Sequence, residues 1–148
     1  MRVFGRLESS FWDNPKVREL TDHEKLLLIY LFSCKHGNAI GCFVLPIEYI
    51  AADLGWTTEA ASERIAALAD HEFVSRDQRT NVIRVIGWWG HNALGNPKHA
   101  KNAGKTALSL PACELKEEAI VELRNLSDEL NPNAADALRD GLKWHLDL

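Results

Sequence analysis

The chain has 148 residues, 46% apolar and 26% charged, with a formal net charge of −4, which describes an ordinary globular protein with room for one substantial core. Its longest apolar run, Leu26 to Phe32, falls far short of the roughly 20 residues a membrane span needs, and Met1 to Arg6 holds no hydrophobic signal segment, so a cytoplasmic location is expected. Three cysteines, Cys34, Cys42 and Cys113, are an odd count without framework spacing and are expected to be free thiols.

Taken in order, Arg2 to Leu7 reads as a short strand, and Phe11 to Leu20 as a turn entering a short helix with Phe11, Trp12, Val17 and Leu20 on its core side. Thr21-Asp22-His23-Glu24 has the form of a capping box, in which a hydroxyl and a carboxylate satisfy the free N–H groups of a helix start. The helix it opens runs apolar nearly all round through Phe32 and is expected to be the central post of the core. Lys35-His36-Gly37-Asn38 ends it, and Ile40 to Val44 reads as a short strand.

The stretch Leu45 to Ile86 carries the pattern that organises the chain. Ile47, Ile50, Ala51 and Leu54 fall at helical spacing after Pro46, and Gly55 can take the left-handed conformation just past the end. A second helix follows, with Thr57 or Thr58 as its cap and Ala61, Ile65 and Leu68 on one face. Two helices joined by a tight glycine turn are a helix-turn-helix. Phe73 to Asp77 and Val82 to Ile86, separated by Gln78-Arg79-Thr80-Asn81, then read as a β-hairpin, the wing. The expected fold is mainly α with a small β-hairpin: a winged helix-turn-helix followed by a C-terminal helical hairpin.

After the wing, Trp88, Trp89 and His91 precede the loop Gly95 to Lys98 and a small-residue segment, His99 to Leu108. If that segment is helical, Lys98, Lys101 and Lys105 share one basic edge. The composition shifts near Pro111. Leu115, Ala119, Leu123, Leu126 and Leu130, then Ala135, Leu138, Leu142 and Leu146 after Asn131-Pro132-Asn133, give two amphipathic helices whose stripes need a partner surface. The expected division is residues 1–110, a winged-helix domain with a basic segment, and 111–148, an acidic helical hairpin through which the chain self-associates.

Charge follows the same division. Residues 1–110 carry 13 Lys and Arg against 12 Asp and Glu, while 111–148 carry 4 against 9. From Phe73 to Thr106, six basic residues face the single Asp77.

Several stretches resemble the winged-helix proteins of phage and prophage replication modules, a group similar to the N-terminal domain of DnaD-like replisome organisers. They are Phe11-Trp12-Asp13 with Leu20, Lys25 to Leu31, Gly41 to Pro46, Ile50 to Trp56, and His91-Asn92 with Asn96-Pro97-Lys98. Together they span roughly residues 3 to 105 and are mostly core and turn positions, so they specify fold more than activity. The resemblance implies a DNA-associated role in replication, a replication protein as partner, and an oligomerising helical extension. The 38 residues after Leu110 are too few for the second DNA-binding domain of replisome organisers.

For DNA, the second helix of the motif should present its N-terminal half to the major groove, which puts Thr58 and Ser62 at the bases. The same face carries Glu59, Glu63 and Asp70, which phosphates would repel, with Ser62 and Arg64 as partial offset. Phosphate contacts are therefore expected from Arg76, Arg79, Arg84, Lys98, Lys101 and Lys105, with duplex preferred to single strands and weak base reading. The alternative is a protein-interaction module of the same fold whose charges are a solvated face. A repressor or toxin-antitoxin role would require a symmetric dimer.

Trp88 and Trp89 beside His91 suit either base stacking or a core lid. Cys34, His36 and Cys42, or His91 and His99, lack metal-ligand spacing, and His23, His71 and His145 sit near helix ends; no metal or other cofactor is expected. No GxSxG, phosphate-cradling glycine loop or Cys-His arrangement is present, Asp53 and Glu59 read as solvent-exposed residues flanking a turn, and no catalysis is expected.

Overall fold

The computed structural model describes residues 4–143; Arg2 and Val3 of the expected first strand, and His145 and Leu146 of the tail, lie outside them. Residues 4–8 take no regular secondary structure and join no sheet, so the expected strand does not form over the described part. A 3-10 turn, Ser9–Asp13, leads into the single-turn helix α1 (Pro15–Arg18), whose cap Asn14 accepts from the Lys16 N–H.

Helix α2 (Asp22–Ser33) begins with the expected capping box: Thr21 Oγ1 accepts from the Glu24 N–H and Glu24 Oε1 from the Thr21 N–H. It buries Leu27, Leu28, Leu31 and Phe32, a few kcal/mol of apolar transfer for each pair of side chains, roughly. The all-round apolar reading is too strong, however, because Leu26 faces solvent and Tyr30 turns its hydroxyl outward to Asp53.

Strand β1 (Cys42–Val44) is followed by α3 (Ile47–Leu54) and α4 (Thr58–Asp70). Gly55 closes α3 at φ +70°, where a side chain would be strained, and Thr57 is the cap of α4, accepting from the Ala60 N–H. The wing is β2 (Val74–Asp77) and β3 (Val82–Val85), and the antiparallel sheet has the order β1-β3-β2. Cys42 pairs with Arg84 and Val44 with Val82 on one side of β3; Arg76 pairs with Ile83 on the other.

The period-2 alternation of the sheet separates two cores. Phe43, Val74, Ile83 and Val85 join α2, α3 and α4 in the first. Cys42 and Val82, pointing the opposite way, join Leu94, Leu115, Ile120 and Leu123 in the second. The second core is closed by α6 (Pro97–Leu108), α7 (Glu114–Ser127) and α8 (Pro132–Gly141), which follow the short helix α5 (Trp88–His91). The architecture is thus a winged helix-turn-helix followed by a C-terminal helical region.

The second core bears on two expectations. A boundary at residue 110 would cut α6 from α7 and α8, yet the three share one core in which Ala100, Ala103 and Ala107 meet Ala134 and Leu138. The apolar stripes of the tail also need no second chain: Leu115, Ala119, Leu123, Ala135, Leu138 and Leu142 are buried against this chain's own sheet and α6. Self-association loses the argument that called for it.

Candidate nucleic-acid interface

The turn Gly55-Trp56-Thr57 holds α4 against α3, with the Trp56 N–H donating to the Ala51 carbonyl. Ala61, Ile65 and Leu68 are buried, so the 3.6-residue period leaves Thr58, Glu59, Ser62, Glu63, Ala66 and Asp70 exposed. Arg64 does not join that face. Its guanidinium lies 4.3 Å from the Trp56 ring centroid, and the ring meets His23 edge-on, which draws the cation back towards the turn.

At the wing tip, the Thr80 N–H and Oγ1 both donate to Asp77 Oδ2, and these bonds hold the Asp77 carboxyl below its ordinary range. Asn81 sits at φ +62°, a conformation asparagine tolerates, and its Oδ1 accepts from Arg76 Nη2 at 2.8 Å. The tip is therefore fixed in shape. Arg76 lies on the helix-turn-helix side of the sheet, opposite Ile83, and its buried Nε has no hydrogen-bond partner.

The other basic residues are not gathered as their sequence positions suggest. Arg84 donates to Glu122 at 2.6 Å and lies 3.6 Å from Glu118, both on α7, and its side chain is only 17% exposed. It sits at the seam between wing and tail, with its guanidinium engaged by carboxylates of this chain. Lys101 is 2.9 Å from Asp140 on α8, and that contact leads the effects holding the Asp140 carboxyl low. Arg79, exposed at the tip, donates to the Ala112 carbonyl between α6 and α7. Lys98 and Lys105 remain exposed on α6, so the anticipated helix exists while its basic edge is interrupted at Lys101. The acidic tail thus folds onto the basic segment rather than opposite it.

Trp88 is a core lid. It stacks on Phe32 at 5.4 Å with its indole N–H donating to the Ala39 carbonyl, while Trp89 is partly buried against both cores. The neighbouring Asn92 does something its sequence context does not announce: its amide accepts from the Arg6 N–H at 3.2 Å and donates to the Arg6 carbonyl at 3.1 Å. With His91 Nδ1 accepting from the Glu8 N–H, this fastens the N-terminal segment to the end of α5. Asp53 is likewise engaged, accepting from Tyr30 Oη at 2.6 Å with His36 Nε2 at 3.0 Å, so it ties α2 to α3 instead of standing free.

All three cysteines are free thiols; burial pushes Cys42 up to about 12, which leaves it an inert core thiol. Among the described residues, no three His, Cys, Asp or Glu side chains converge to hold a metal. No described helix is long and apolar enough to cross a membrane.

Residues 18–74 match a family model described as a helix-turn-helix domain. The matched segment runs from the end of α1 through α2, β1, α3 and α4 to the first residue of the wing, well under half of the chain. No curated protein and no solved structure matches the chain. The matched domain, completed by the wing, is a winged helix-turn-helix, a fold that suggests DNA binding.

Proposed function

We propose that this protein is a non-catalytic, duplex-DNA-binding module in which α4 approaches the major groove and the wing lies along the adjacent backbone. The observation that carries the reading is the solvent-open N-terminal half of α4, set by the Gly55 turn within the segment that matches a helix-turn-helix. In this reading Thr58 and Ser62 meet base edges, and Arg76, Arg79, Lys98 and Lys105 contact phosphates. Arg79 has an exposed side chain with donors to offer and Arg76 meets no carboxylate among the described residues, whereas Arg84 and Lys101 are held by carboxylates. A place in a phage or prophage replication or regulatory module rests on the sequence resemblance. Self-association is not part of the proposal.

The carboxylates Glu59, Glu63 and Asp70 on the exposed face of α4 favour a second reading, a winged-helix module that contacts a basic protein. Fluorescence anisotropy with duplex DNA at two salt concentrations separates the two. DNA binding predicts an affinity that falls with salt, and reversing Arg76 and Arg79 to Glu should weaken it and lower the magnitude of the log–log salt slope by about 2, for two lost phosphate contacts. No binding at low salt would favour the protein partner.

A further inference from the structure

A pocket lies at the root of the wing. Strand β3 ends where the Ile86 N–H donates to the Phe73 carbonyl at 2.9 Å, and Gly87, at φ +84°, turns the chain away into α5. The N-terminal segment comes in beside it: the Glu8 N–H is held by His91, and the 3-10 turn and α1 follow. These elements meet without filling the space between them, which leaves a cavity of about 190 Å³.

Its lining combines three phenylalanine rings with a few polar groups. Phe11, Phe32 and Phe73 line it, and Val17 and Leu28, both buried in the first core, close its floor. His91 is fixed there by two edge-on ring contacts, 5.1 Å to Phe32 and 6.3 Å to Phe11. Because His91 Nδ1 accepts from the Glu8 N–H at 3.0 Å, the neutral ring carries its proton on Nε2 and is a donor there. Asn14 adds a second: its Oδ1 is committed to the Lys16 N–H, which leaves the amide nitrogen to donate. Donors set among aromatic rings suit a flat, apolar molecule that accepts a hydrogen bond. An apolar cavity of about 150 Å³ holds one benzene ring, so this one has room for a ring and a small substituent.

We propose that this cavity is a small-molecule site that takes a single-ring aromatic compound accepting one hydrogen bond, with its ring among Phe11, Phe32 and Phe73 and its acceptor on His91 Nε2. Most of the walls are core side chains, so the site is formed before a ligand arrives. It stands apart from the duplex reading: neither the carboxylate-bearing face of α4 nor the wing-tip arginines line it, and the two proposals fail separately.

The test is titration of the isotope-labelled full chain with acetophenone, followed in NMR spectra. Saturable shifts are expected at the Ser10, Phe11, Phe73 and Gly87 amides and on the His91 ring, with a Kd of about 1 mM or below, which the size of the probe allows. Ethylbenzene keeps the shape without the oxygen and should bind at least several fold more weakly, although water holds it less strongly. Cyclohexyl methyl ketone keeps the oxygen without the planar ring and should also be weaker. His91→Phe, which retains a ring and loses the donor, should weaken acetophenone binding about fivefold, the scale of one neutral hydrogen bond. Ser10→Trp adds bulk to the lining from an exposed position and should weaken it at least as much, with an unchanged melting temperature showing that the variant is folded. Arg79→Glu should leave the affinity as it is. Absence of saturable shifts, shifts that map to another part of the surface, equal or tighter binding of ethylbenzene, or unchanged affinity in both His91→Phe and Ser10→Trp would overturn the proposal.

Discussion

A Cβ at Gly141 would lie 2.3 Å from the Lys101 carbonyl oxygen, and one at Gly104 would lie 2.8 Å from the Gly141 carbonyl carbon. Both obstacles are backbone, so α6 and α8 would have to move apart to admit a methyl group. Gly141→Ala is expected to cost about 1–3 kcal/mol in urea denaturation, the range for overpacking, even though alanine is the better helix former. Gly95, with open space around it, should accept alanine with little effect, and equal losses at both positions would refute the close crossing. Asp53 gives a pH test at the same scale. The Tyr30 hydroxyl first, and His36 after it, hold its carboxyl below the ordinary 3.8. A carboxyl lowered in the folded state adds stability above its unfolded pKa, and that stability is lost as the pH falls through the folded value. Tyr30→Phe should therefore flatten the acid limb of the stability profile below about pH 4, where this carboxyl titrates. Tyr30 itself is raised, chiefly by burial and then by the bond to Asp53, so its own contribution holds below pH 10 and is lost above it.

At the scale of elements, the seam between β3 and α7 combines apolar and ionic contact. Val82 and Arg84 share one face of β3; Val82 enters the second core, and Arg84 meets Glu118 and Glu122 at its edge. Arg84→Ala is expected to destabilise by about 1–2 kcal/mol, since the glutamates are partly solvent-screened but the arginine is not. Combining it with Glu122→Gln should cost less than the two losses added, which a double-mutant cycle measures. Duplex affinity should stay at the wild-type level in Arg84→Ala; a loss comparable to that of the wing-tip arginines would return Arg84 to the DNA contacts. The helical periods of α4 and α7 and the glycine turn at Gly55 were readable because each is local, set by spacing over a few residues. Arg84 was not, because alternation tells which face of a strand a residue takes and nothing of what covers that face.

For the whole molecule, the sheet is packed on both sides, so the C-terminal region is structural and not a detachable arm. Truncation after Leu110 would uncover Ile40, Cys42, Val82, Leu94 and the small-residue face of α6 together. The shortened chain is expected to aggregate or to lose cooperative unfolding, followed by circular dichroism and sedimentation. A soluble fragment with an unchanged melting temperature would show that the two cores are independent.

The succession α2, β1, α3 and α4, the capping box at Thr21 and the wing were determined by the sequence alone, because propensity, capping and hydrophobic period act within one or two turns of chain. The partners of charge and of apolar stripes were decided only by the tertiary structure. Folding brings α7 and α8 back onto the wing and α6, so acidic residues distant in sequence neutralise Arg84 and Lys101, and stripes that seemed to await another molecule are filled at home. Glycines chosen for helix contact and an asparagine that grips a main chain 86 residues away leave no local signature, since what they touch is set by the path of the whole backbone.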